Sequence, residues 1–171
     1  MRGGSEPGSA PGTYALLLRC PKTVTLRIGA LGERELGSGW YVYVGSALGP
    51  GGVRARVRRH LRGPGNRHWH LDYLSPAVQV VEVWYVHHER RWEHLWARGL
   101  EETEVCTGVV SGFGASDCDC GSHLLRFRER PDVVSLTTIP ETESGWTSPR
   151  GIDPAIWWPV RSGFAGTSPD S

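Results

Sequence analysis

Three apolar runs, each too short for an ordinary helix and each stopped by glycine or proline, constrain this chain most. Tyr14–Arg19 (YALLLR) lies between Pro-Gly and Cys-Pro, Trp40–Val44 (WYVYV) stops at Gly45, and Val78–Val86 (VQVVEVWYV) is dense in β-branched and aromatic residues. Runs of this length and composition read as strands. Thr23–Ile28 (TVTLRI) reads as a further strand and Leu124–Phe127 as a last short one. Helices are expected over Val53–Arg62 and Arg90–Leu100, with a short helix or turn at His68–Leu74. Strands, helix, strand, helix in that order give a small α/β domain whose mixed or antiparallel sheet is flanked by helices, with a β-β-α-β-α core.

The chain's 171 residues and 39% apolar content suit one core. Residues 1–11 are rich in Gly, Pro and Ser and read as a flexible leader without the apolar stretch of a signal peptide. The domain spans 12–128. The segment 129–171 is rich in Pro, Ser and Thr and reads as a largely disordered tail, within which IWWPV, around Trp157 and Trp158, is the one stretch suited to docking. No apolar run approaches the roughly 18 residues of a membrane span. A cytoplasmic protein with reduced cysteines and no membrane contact is expected.

Net charge is +1, so partners must be sought in charge distribution. Between Leu36 and Leu71 there is no Asp or Glu, while Arg54, Arg56, Arg58, Arg59, Arg62 and Arg67 fall there with His60, His68 and His70. Such a strip is the electrostatic footprint of phosphate binding; the plainer alternative is a solvated helix face. At about 100° per residue, Val53, Val57 and Leu61 share one arc and face the core. Arg56 and His60, four apart, lie beside that arc at a wall between core and solvent. Arg54, Arg58 and Arg62 fall toward the other margin, and Arg59 points outward. An arginine at such a wall can offer a phosphate its bidentate fork. Tyr14 opens the first strand, and Tyr43 shares a sheet face with Gly45 two residues on.

Gly12-Thr13-Tyr14, Tyr43-Val44-Gly45, and a helix with Arg56 and His60 four apart resemble the signature of the GIY-YIG nucleases, a superfamily that includes homing endonucleases and an incision subunit of bacterial nucleotide excision repair. The closer resemblance is to an uncharacterised branch found alone or fused to endonuclease III-type glycosylases. It rests on GWYVYVGSA (39–47), GPGGVRARVRRHLR (49–62), HWHLDYL (68–74) and GFGASDCDCGSHL (112–124), covering about residues 12–127. Thr13 stands where the superfamily has isoleucine, and the interval between the two tripeptides is longer than usual, filled by the strand at 23–28.

The resemblance implies a metal-dependent endonuclease that hydrolyses phosphodiester bonds, with DNA expected over RNA and a repair-type role. Its catalytic set would be Tyr14, Tyr43, Arg56, His60 and a glutamate on a later helix. Glu89, Glu93, Glu101, Glu102 and Glu104 are candidates. Glu93 is favoured because it sits about 90° from the centre of the face made by Trp92, Leu95, Trp96 and Leu100. Glu93 would hold a single Mg²⁺ or Mn²⁺, Arg56 would stabilise the transition state, and Tyr14 or Tyr43 would serve as base. Arg54, Arg58, Arg62, Arg67, His68 and His70 would contact nucleic acid. A different reading is a catalytically silent nucleic-acid-binding module or accessory domain of a repair enzyme. His68 and His70, flanking Trp69 and followed by Asp72, suit either a substrate path or a structural role. Cys118-x-Cys120-x-x-His123, with Cys106 or Cys20 in reserve, lacks the paired spacing of zinc sites. Zinc is therefore not expected, and a tight loop capped by Ser116 and Asp117 is.

Overall fold

The computed structural model describes residues 4–63, 65–115, 120–133 and 155–157. A six-stranded antiparallel sheet runs β6(Cys106–Val109)-β7(Leu124–Phe127)-β4(Gly39–Ala47)-β1(Gly12–Cys20)-β5(Gln79–His87)-β8(Ala155–Trp157). β1 is central and buried on both faces, which is why YALLLR shows no polar alternation. Tyr14, Leu16 and Leu18 meet α1(Gly52–Arg62) and α2(His70–Leu74), while Ala15 and Leu17 meet α3(Glu93–Glu101) on the opposite face. The result is a three-layer α/β domain. The segment at 23–28 does form a strand, β2(Val24–Arg27). It stays out of the main sheet, pairing with β3(Glu33–Leu36) in a hairpin that packs beside α2.

α1 buries Val53 and Val57, as its periodicity requires. Its first turn holds no acidic residue and its N-cap, Gly51, makes no side-chain bond. The unpaired N–H groups of a helix start need acceptors, and residues 5–11 supply them. The N–H of Val53 donates to Ala10 O at 3.1 Å and that of Arg54 to Gly8 O at 3.0 Å. A Cβ on Gly52 would stand 2.2 Å from Ala10 O, so glycine is required there. Arg58 pairs with Glu6, and Tyr85 Oη donates to Ser5 O at 2.8 Å. Residues 5–11 of the expected flexible leader are thus held across one end of the domain.

In the tail, Ala155–Trp157 pairs with Val83–Tyr85 on the edge of β5. The rest of the expected tail beyond residue 133 lies outside the described residues.

Candidate functional site

β1 and β4 pair so that Tyr14 faces Gly45 directly. A Cβ at Gly45 would stand 2.6 Å from Tyr14 Oη and 2.7 Å from its Cζ. The glycine after Tyr43 therefore makes room for the Tyr14 ring rather than for a ligand. Tyr14, 2% exposed, places its hydroxyl 2.9 Å from His60 Nε2. Tyr43, 8% exposed, presents its ring to the same imidazole at 6.0 Å between centroids, edge to face. The two tyrosines and His60, widely separated in sequence, form one cluster beneath α1.

Burial sets the electrostatics of this cluster. It raises the Tyr14 phenol well above its usual range; Tyr43 adds to the rise, Arg56 and Arg59 oppose it, and the Glu93 charge raises it further. Burial also pushes His60 down to about 3, against the pull of Asp72, so the imidazole is neutral at physiological pH. A neutral phenol bonded to a neutral imidazole is a rigid positioning pair. Neither group is poised to hold a charge, and an arriving cation would favour ionisation of the phenol alone.

Arg56 is half-buried beside this pair and lies over the Trp69 indole, its Cζ 4.5 Å from the ring centroid. Among the described residues it has no carboxylate within salt-bridge distance, unlike Arg58 and Arg59. Arg58 is paired with Glu6, Arg54 donates to Pro7 O, and Arg59 is paired with Asp72 at 3.0 Å. Arg59 does not point outward as the helical angle alone suggests. Its side chain turns to the buried Asp72, which also accepts from the N–H groups of His68 and Trp69. Burial raises the Asp72 carboxyl, but those N–H groups and Arg59 outweigh it and hold the group below its usual value. Arg62 and His68 line an open depression of about 600 Å³ with Arg59 and Asn66. Arg67 lies over Tyr73, its Cζ 5.3 Å from the ring centroid. His70 accepts from the Gly114 N–H at 3.0 Å through Nδ1 and packs on Phe113, a structural use that ties α2 to the loop at 110–123.

Glu93 begins α3 on the other side of the sheet and is 5% exposed, more deeply placed than an edge position implies. Ser46 of β4 donates to its Oε2. Oε1 faces His94 Nε2 at 3.6 Å and Arg91 at 3.8 Å. Next to it, donor atoms of His94, Cys120 and His123 lie within 4.8 Å of one another. His94 is a residue that cysteine spacing could not supply, since it comes from α3. Cys20 and Cys106 are elsewhere, with sulfurs bonded to Lys22 O and Gly108 O. Cys118, Ser116 and Asp117 lie outside the described residues. Gly114 joins the two regions. A Cβ there would stand 3.2 Å from His123 Cβ and 3.5 Å from Tyr43 Cε2.

The donor types divide accordingly. Oxygen at Glu93 and Ser46 suits a hard divalent ion, whereas nitrogen and sulfur at His94, Cys120 and His123 suit a softer one. Among the described residues no helix is long and apolar enough to cross a membrane. One family profile matches, a domain of unknown function designated DUF123, over residues 13–142. No curated protein matches, and no solved structure does.

Proposed function

The chain belongs to the DUF123 family, whose description states no activity, and from the site itself we propose that it is a metal-dependent endonuclease of GIY-YIG type acting on nucleic acid, DNA in preference to RNA. The observation that carries the reading is the Tyr14–His60 bond beneath Tyr43, with Arg56 alongside and lacking a carboxylate partner among the described residues. A guanidinium held on an indole beside two phenols is a suitable seat for a phosphate. The groove at Arg62 and His68 would carry the strand onward.

In this reading Arg56 forks onto two oxygens of the scissile phosphate and takes up charge that grows in the transition state. Tyr43, the more accessible of the two tyrosines, acts as base once ionised: with its own proton released to solvent, the phenolate accepts the proton of the attacking water. Tyr14 and His60 fix that face of the site by their mutual bond. Glu93, with Ser46 on one oxygen, would hold Mg²⁺ or Mn²⁺, which supplies phosphate neutralisation and stabilises the leaving oxygen. The strip contributes fewer phosphate contacts than its arginine count suggests, because Arg54, Arg58 and Arg59 have protein partners.

The test is incubation of the full chain with structured DNA and RNA substrates in Mg²⁺, Mn²⁺ or EDTA. Cleavage that needs the ion and disappears in Glu93→Gln is the expected result. Binding without turnover on every substrate would identify a nucleic-acid-binding module instead.

A further inference from the structure

We propose that His94, Cys120 and His123 form a binding site for a zinc-class divalent ion, oriented by Glu93, which pins the stretch 120–123 to the start of α3. The proposal does not rest on the nuclease reading. Its geometry is specific. His94 Nδ1 lies 3.1 Å from Cys120 Sγ, and the three donor atoms fall within 4.8 Å of one another. Zn–N and Zn–S bonds of about 2.0 and 2.3 Å put tetrahedral ligands about 3.3–3.5 Å apart. The His94–Cys120 spacing lies just under that range and no pair of the three exceeds 4.8 Å, so small side-chain rotations complete the site.

The imidazole of His94 is used at both ends. Nδ1 faces the sulfur, while Nε2 faces Glu93 Oε1 at 3.6 Å. A carboxylate on the far nitrogen fixes the tautomer, leaving the lone pair on the nitrogen that faces the metal and making it more basic. Glu93 is itself held by Ser46. The backbone around the ligands is also tied down. His123 donates to Phe113 O at 2.7 Å and accepts from the Val44 N–H at 3.0 Å, and Gly112 donates to Gly121 O at 2.9 Å. His123 is thereby fixed against β4 and His94 is carried by a helix, so two ligands stand on rigid elements. Sulfur and imidazole nitrogen select zinc or cobalt over Mg²⁺.

The experiment uses the full chain, purified reduced and without chelator, with metal content measured by mass spectrometry. The protein is then stripped and reloaded with Co²⁺. About one zinc per chain is expected, together with a thiolate-to-cobalt charge-transfer band and intense visible bands of tetrahedral cobalt. Cys120→Ser should abolish the charge-transfer band. Glu93→Gln should retain it but weaken affinity about 10–100-fold, the range for losing a carboxylate behind a metal-bound histidine. A folded wild type that carries no stoichiometric metal and shows no cobalt–thiolate band overturns the proposal. A band that persists in Cys120→Ser also overturns it, because the ion is then elsewhere.

Discussion

His60 carries the best-defined energetic consequence of this fold. Its Nε2 meets Tyr14 Oη, and its Nδ1 has no hydrogen-bond partner among the described residues, so only the charge of Asp72 opposes the cost of a second ring proton. Burial holds its pKa at about 3, whereas an unfolded histidine titrates near 6.5. A folded-state value below the unfolded one means that stability is complete above the unfolded pKa and is lost as pH falls toward the folded value. Each pH unit within that window is worth about 1.4 kcal/mol, so between about pH 7.5 and about pH 5 His60 alone should remove about 2 kcal/mol.

Urea unfolding of wild type and His60→Gln at both pH values isolates this term. Glutamine can accept from Tyr14 without titrating, while His88 and His70, also lowered by burial, remain in both proteins and cancel. Wild type should lose about 2 kcal/mol more than the variant over that interval. The His60 ring proton resonance should not titrate near neutrality. Equal losses, or a ring that titrates near 6.5, would refute the claim that the imidazole under Tyr14 is held neutral.

Three further outcomes follow from contacts already described. Gly45→Ala places a methyl against the Tyr14 ring and should cost about 1–3 kcal/mol by overpacking, whereas Gly49→Ala, with open space around it, should stay within about 0.5 kcal/mol in the same thermal melts. Arg59→Ala should cost about 1–2 kcal/mol near neutral pH, less than a fully buried pair because Asp72 keeps two backbone donors; as the Asp72 carboxyl is held below its usual value, the difference from wild type should vanish only as pH falls below about 4, and a pH-independent difference would show that the ion pair is not its source. If the chain cleaves nucleic acid, Arg56→Ala should lower the single-turnover rate by roughly 10²–10³ with a smaller change in affinity, and equal losses in both would make Arg56 a ground-state contact.

Much of the fold is legible because it is local. The strands starting near Tyr14, Trp40 and Val78 are continuous apolar runs, and α1 shows itself in Val53 and Val57. β3 is not legible, since GERELG offers one inward side chain, Leu36, among charges that face solvent. β6 is hidden by Gly108, around which its register shifts. The docked leader has no local signal at all. Gly8, Ala10 and Pro11 hold it through main-chain carbonyls, which composition cannot report. Helical angle misplaces Arg59 because its partner stands thirteen residues further on, on another helix. His94 escapes for a related reason, as cysteine spacing registers only ligands close in sequence and His94 joins Cys120 through the fold.

The candidate site is split by the sheet. Tyr14, Tyr43, His60 and Arg56 gather on the face covered by α1 and α2, while Glu93 and Ser46 lie toward α3. Alternation along β4 accounts for this, with Tyr43 and Gly45 facing one side and Val44 and Ser46 the other. A strand cannot bring both halves to one point by itself, so the bridge must come from a segment at the strand's end. The stretches 110–115 and 120–123 supply it. Phe113 packs against Tyr43 and His70 on the first face, and His123 reaches His94, beside Glu93, on the second. Gly114 lies between, at φ +68°, where an added Cβ would crowd His123 and touch Tyr43. The relative placement of tyrosine and glutamate therefore depends on how firmly these stretches are held. Sulfur and imidazole ligands at 120–123 are a device suited to holding them.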